Sequence, residues 1–108
     1  MAWFLLELHP TRPSFPADAS PDELQAVDEH FARLARMAAA GHVAIVGRTQ
    51  EATDPLGLCV FEAIDESTAR QMADDDPAVQ AGVFHAAVRP YRIALGSPTA
   101  LQRALAEE

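Results

Sequence analysis

The chain has 108 residues, and its 16 acidic against 8 basic side chains give a formal net charge of −8. Nucleic acid is an unsuitable partner for such a chain, because phosphate binding needs a surplus of positive charge. All the basic residues are arginine, which excludes a Schiff-base or P-loop lysine. One cysteine, Cys59, excludes an internal disulfide and any multi-cysteine metal site. The length predicts a single domain over residues 1–108.

No targeting segment is visible at the start of the chain. The first residues mix charged and apolar side chains, so there is no apolar stretch followed by a cleavage site. The longest apolar runs are far shorter than a membrane span. We therefore expect a cytoplasmic protein with no membrane partner.

The first half of the chain predicts a strand, a loop, a helix and a second strand. Residues 2–8 are bulky and apolar, and a proline-rich stretch that favours an extended loop follows them. A Ser-Pro-x-Glu capping box at residues 20–23 opens a helix that stops at Gly41. Residues 42–47 form the second strand. The spacing of apolar residues predicts that the buried stripe of the helix consists of Leu24, Val27, Phe31, Leu34 and Ala38.

The second half predicts two more strands and two more helices. Residues 58–64 read as a strand, after which Asp65 caps a helix that ends before the Asp-Pro pair at 76–77. Residues 84–95 read as the fourth strand, with a proline that an edge or a bulge would tolerate. A short C-terminal helix is expected over residues 99–106.

This order of elements, β-α-β-β-α-β, predicts a ferredoxin-like α+β fold. Two split βαβ units with right-handed crossovers give a four-stranded antiparallel sheet of order 4-1-3-2. Both main helices then lie on one side, and we call the other side of the sheet the open face. Strand alternation assigns to the helix side the residues Phe4, Leu6, Leu8, Val43, Ile45, Phe84, Ala86 and Val88.

The open face is predicted to be too apolar for free solvent. It would carry Trp3, Leu5, Val46, Val60 and Tyr91 among Glu7, His85 and Arg89. A mixed face of this kind suits packing against a second copy of itself. We therefore expect a homodimer that packs sheet to sheet as a dimeric α/β barrel.

Several short motifs follow one another in a characteristic order along nearly the whole chain. They are a helical His-Phe pair, a glycine at the helix end, a glycine after an apolar strand, Asp-Pro, Ala-Gly, and a final strand with an aromatic residue near its end. In this sequence they are His30-Phe31, Gly41, Gly47, Asp76-Pro77, Ala81-Gly82 and Val88-Arg89-Pro90-Tyr91. In this order and spacing the chain resembles the YCII-related (YciI-like) family of small dimeric α/β-barrel proteins.

The resemblance implies an active site built on His30 and Asp76. In the family the helix histidine pairs with the aspartate of Asp-Pro, and a carboxylate-held histidine can act as a general base. Many members carry an arginine one turn before the histidine, where this chain has Val27. If that arginine binds an anionic substrate, this chain is expected either to bind a different group or to take the charge from Arg48 or Arg89. The alternative is that the His–Asp pair is structural and ties the two helices together.

A second polar group is predicted on the open face, where strands one and four are neighbours. His9, His85 and Arg89 are candidates for substrate binding there, together with Glu7. The alternative for this group is an ion-pair network within the dimer interface. The sequence has no metal-ligand spacing and no nucleotide-binding motif, so we expect no metal and no cofactor.

Two functions are compatible with these residues. The first is a small enzyme that uses His30 and Asp76 for proton abstraction or elimination on a small organic molecule. The second is a non-catalytic dimeric ligand-binding or accessory module in which the same pair is structural. Access of solvent to His30 discriminates between them, because a sealed histidine would favour the second.

Overall fold

The computed structural model describes residues 1–107, which form four strands and four helices around one sheet. The strands pair antiparallel in the order β2-β3-β1-β4, which confirms the predicted order and the ferredoxin-like α+β fold. The elements in chain order are β1 (Ala2–Pro10), α1 (Pro21–Ala39), β2 (Val43–Arg48), β3 (Gly57–Ala63), α2 (Glu66–Asp74), α3 (Pro77–Gln80), β4 (Phe84–Pro90) and α4 (Pro98–Ala106).

The main core lies between the sheet and the helices. The central strand β1 buries alternate residues, and Phe4 and Leu6 lie opposite Phe61 and Cys59 of β3. Leu34 of α1 packs onto the same cluster. The predicted helix-side assignment of β1 is thus confirmed, and the burial of apolar area here is the main term that holds the sheet to the helices.

A β-bulge changes the predicted faces of the second strand. The register shifts between Val43 and Ile45, so that Ile45 lies opposite Val60 and Val46 lies opposite Cys59. The prediction that Ile45 faces the helices and Val46 the open face is therefore wrong. One extra residue in a strand reverses the alternation of every side chain that follows it.

The buried stripe of α1 is also rotated from its predicted position. The buried residues are Ala26, His30 and Leu34, whereas Leu24 and Phe31 are 50% and 63% exposed. The apolar pattern misplaced the stripe because its centre is a histidine. A polar side chain occupies that centre only because a partner satisfies it, as described below.

The fourth strand is shorter than predicted and ends at Pro90 rather than at residue 95. Pro90 has no backbone N–H to donate to the strand ladder, although Tyr91 N still donates to Trp3 O. The chain then leaves the sheet, and the predicted C-terminal helix follows as α4 with Ser97 as its N-cap.

Helix α4 has no buried residue and borders two apolar clefts. One, of about 230 Å³, lies on the helix side and is lined by Phe31, Ala35, Val46, Leu101 and Leu105 among others. The other, of about 730 Å³, lies between α4 and the open face and includes Ile45, Val60, Tyr91, Ile93 and Leu101. Within residues 1–107 no helix is both long and apolar enough to cross a membrane.

Candidate active site

His30 occupies the middle of the buried face of α1. The helix starts at a complete capping box between Ser20 and Glu23, with Pro21 in its first turn. His30 follows Ala26 by one turn on the buried face, and it is 9% exposed. A well-capped helix therefore holds the imidazole at a fixed point over the sheet.

Asp76 is placed by the start of α3. Its side chain caps that helix, and Oδ1 accepts from Ala78 N at 2.8 Å and Val79 N at 3.3 Å. The following Pro77 suits the first helical position. The Asp-Pro pair therefore accounts for the start of α3 at this point. One carboxylate oxygen is thus committed to the backbone, and the other is left to face α1.

The two side chains meet in the interior. His30 Nδ1 lies 2.5 Å from Asp76 Oδ2, although 46 residues separate them in sequence. Among residues 1–107 these are the two buried polar or charged side chains. The contact predicted between them is present, and it gives Nδ1 of His30 and the carboxylate of Asp76 a partner in a largely buried position.

Asp76 is ionised in this setting. Burial by itself raises the pKa of a carboxyl group, but the hydrogen bond and charge of His30 and the amides of Ala78 and Val79 outweigh it. The net result is an Asp76 pKa below its ordinary value. An ionised carboxylate can only accept, so His30 donates from Nδ1, and the neutral ring then has its lone pair on Nε2.

The second ring nitrogen of His30 is not completely buried. Within residues 1–107 every buried side-chain nitrogen or oxygen has a hydrogen-bond partner, and the hydrogen bond of the His30 side chain uses Nδ1. Nε2 is therefore not fully buried, and the small exposed fraction of the side chain, 11%, includes it. Asp76 thus fixes the ring through Nδ1, and Nε2 keeps a small contact with solvent.

Aromatic side chains and the proline-rich loop form the surroundings of the ring. Phe84 of β4 lies edge-on to His30 with ring centroids 5.7 Å apart. Phe15, at the tip of the loop, packs on Phe84 and belongs to a second core cluster with Ala78 and other residues. The loop therefore covers one side of the candidate site.

Arg33 is the arginine that the structure places beside the pair, and the sequence analysis missed it. Its Nη1 donates to Met72 O at 2.9 Å and lies 3.9 Å from Asp76 Oδ2. Arg33 follows His30 by three residues, a spacing that puts two side chains on the same helix face. That spacing was the sequence signal that could have placed Arg33 beside the pair.

The other predicted site residues lie elsewhere. His9 and His85 are directly opposite each other on β1 and β4, and Arg89 contacts Glu7 on the same open face. This face is across the sheet from His30, so the structure brings these residues to one another and not to the His–Asp pair. Arg48 is exposed at the end of β2, the edge strand far from β4.

No metal centre is formed by the part of the chain that the structure describes. Within residues 1–107, histidine, cysteine, aspartate and glutamate side chains do not gather into a group of three that could hold an ion. The thiol of Cys59 lies near Asp76, and burial together with that negative charge raises its pKa to about 12. It is therefore a neutral packing group at ordinary pH.

Residues 1–107 form a small α+β fold with a buried histidine–aspartate pair. The sequence matches the YCII-related domain over residues 4–92, and the chain belongs to that family. No curated protein matches the chain.

A solved structure with a similar fold is 5-chloro-2-hydroxyhydroquinone dehydrochlorinase (TftG) from Burkholderia phenoliruptrix AC1100, in complex with 2,5-dihydroxybenzoquinone. The TM-score is 0.56 at 19% identity, with 83% of this chain and 93% of the other covered. This likeness supports the fold.

Proposed function

We propose that this protein is a small enzyme in which His30 acts as a general base and Asp76 orients it. The reaction class is proton abstraction from, or elimination on, a small organic molecule. One observation carries the proposal: the buried carboxylate holds Nδ1, while Nε2 is free of protein hydrogen bonds and not completely buried.

The geometry supplies what a general base needs. Asp76 accepts from Nδ1, so the lone pair of the neutral ring is on Nε2, where a substrate proton can be taken. Once Nε2 is protonated, the ionised Asp76 stabilises the imidazolium. Both steps use a carboxylate that the backbone amides of α3 already hold in place.

The structural neighbour supports the elimination branch of this class. That protein is described as a dehydrochlorinase, and loss of hydrogen chloride from an organic molecule requires removal of a proton as well as departure of chloride. An accessible histidine base suits the proton removal. A hydroxylated ring of the size of 2,5-dihydroxybenzoquinone is therefore a reasonable first probe for this chain.

We further propose that the protein is a homodimer joined through the open face. The cleft between that face and α4, about 730 Å³, is lined largely by apolar side chains. Ile45, Tyr91 and Ile93 in it are 50%, 44% and 41% exposed. A second copy would remove this apolar area from water.

A non-catalytic accessory or ligand-binding role is the second candidate, and the burial of the pair favours it. The side chains of His30 and Asp76 are only 11% and 2% exposed, and their contact joins α1 to the start of α3. In that case the pair stabilises the fold and Nε2 has no reacting partner. The enzymatic and the accessory role are compatible with the same structure. They differ in the effect that replacement of His30 has on activity.

The test compares two histidine variants of the full chain. His30→Gln removes the base, and His42→Gln removes an exposed histidine that pairs with Glu62 at 3.2 Å. Chloride release from 5-chloro-2-hydroxyhydroquinone is measured for each, with circular dichroism to verify folding. We expect His30→Gln to lower the rate by about 10²–10⁴-fold, the usual contribution of a general base, and His42→Gln to retain it.

Two results would count against the enzymatic proposal. One is a folded His30→Gln protein that releases chloride as fast as the parent. The other is a parent protein that neither releases chloride nor shows a change in its His30 ring signals when 2,5-dihydroxybenzoquinone is added. The second result would favour the accessory role.

A further inference from the structure

Arg33 and His30 face the same oxygen of Asp76. His30 Nδ1 is 2.5 Å from Oδ2, and Arg33 Nη1 is 3.9 Å from it. The arginine is fixed by its bond to Met72 O, and 23% of its side chain is exposed. A permanent positive charge therefore stands beside the carboxylate that orients the proposed base.

Few charged groups lie close to the carboxylate of Asp76. The groups that face the carboxylate are His30 and Arg33 of α1, the amides at the start of α3, and Cys59 of β3, whose thiol is neutral. With a neutral imidazole, the negative Asp76 and the positive Arg33 cancel. With an imidazolium, this largely buried group carries one net positive charge, which costs free energy.

We propose that Arg33 is a positioning residue that balances the charge of Asp76 and so makes neutral His30 the resting form of the pair. The inference rests on the proposed role of His30 as a base. Without Arg33 the positive charge near the carboxylate would be lost, which favours an imidazolium beside Asp76. A general base has to begin the reaction with Nε2 unprotonated.

The experiment reads the protonation of the ring directly. The protein is labelled with ¹⁵N-histidine, and long-range ¹H–¹⁵N spectra are recorded across a pH series. The chain has four histidines, and His30→Gln identifies the signals of His30 by their loss. Arg33→Gln removes the charge and keeps a donor for Met72 O, Arg33→Lys keeps the charge, and Arg36→Gln removes an exposed charge one turn further along α1.

In the parent protein at pH 7 we expect Nε2 of His30 to be unprotonated and Nδ1 to carry the hydrogen. In Arg33→Gln a larger fraction of His30 should carry a proton on Nε2 at pH 7 than in the parent, because the nearby positive charge is gone. Arg33→Lys should restore the parental titration, and Arg36→Gln should leave it unchanged. A merely structural arginine would not produce this pattern.

Three results would overturn the inference. They are a parent His30 that is imidazolium at pH 7, an Arg33→Gln titration equal to the parent's, and equal shifts in Arg33→Gln and Arg33→Lys. The first needs no variant, so the inference stays testable if Arg33→Gln fails to fold. None of these readouts depends on turnover, so their failure is distinct from failure of the chloride assay.

Discussion

Phe15 and Phe84 meet edge to face, with ring centroids 5.6 Å apart and ring planes at 87°. The contact joins the proline-rich loop to β4, and Phe84 in turn lies edge-on to His30. Arg12 holds the loop by donating to Glu23 at 2.7 Å and to Asp18 at 2.8 Å. The proline-rich loop is thus fixed in place and borders the candidate site.

Replacing Phe15 with alanine should destabilise the fold. Phe15 is 6% exposed, and removal of a buried phenylalanine side chain costs about 3–5 kcal/mol when the cavity cannot collapse. We expect a loss near the lower end, about 3 kcal/mol, because the second core cluster is small and lies under a loop. Urea unfolding monitored by circular dichroism measures the loss.

Phe31→Ala is the matched control for this prediction. Phe31 is 63% exposed on α1, so its replacement should change the free energy of unfolding by less than about 1 kcal/mol. Equal losses for the two variants would mean that the loop does not bury Phe15 in solution.

Replacing Asp76 with asparagine should remove an acid-sensitive part of the stability. The folded-state pKa of Asp76 is lowered, so its contribution is fully present above the unfolded-state pKa, about 3.9, and is lost as the pH falls through the folded-state value. Asp76→Asn should therefore be about 1–3 kcal/mol less stable at pH 7, with a smaller difference below pH 4. Urea unfolding at a series of pH values gives both quantities.

The control is Asp74→Asn, because Asp74 is an exposed carboxyl at the end of α2. It should keep the parental dependence of stability on pH. A constant gap between Asp76→Asn and the parent from pH 7 down to pH 3 would contradict the ionised state inferred for Asp76.

Cys59 should be unreactive in the folded protein. It is 1% exposed, and burial with the nearby charge of Asp76 raises its pKa to about 12, so neither access nor thiolate is available. Ellman's reagent should label less than about a tenth of the protein over an hour at pH 8, and all of it in guanidinium chloride. Rapid labelling without denaturant would show that the core around Cys59 opens.

The parts of the fold that the sequence predicted are those with local signals. The capping box at Ser20, the Asp65 cap and the end of α2 before Asp-Pro are each set by side chains within a few residues of the turn they form. Alternation along the central strand likewise predicted the buried face of β1. The resemblance to the family supplied the contact between His30 and Asp76, which no local spacing could have revealed.

The parts that the sequence did not predict depend on contacts between distant segments. The bulge before Ile45 arises from the pairing of β2 with β3. Residues 43–46 contain no local sequence signal that predicts it. The position of Arg33 against Asp76 requires α1 and α3 to be packed together first.

The last prediction concerns the open face. The parent protein at micromolar concentration should scatter light with a mass near twice 11.6 kDa, because the apolar cleft beside this face needs a cover. Trp3→Glu should shift the mass toward one chain, since it puts a charge opposite Glu62 in a surface that would be desolvated. Leu24→Glu, on the exposed side of α1, should leave the mass unchanged. A parent mass near 11.6 kDa, or equal effects of the two variants, would rule out a dimer through the open face.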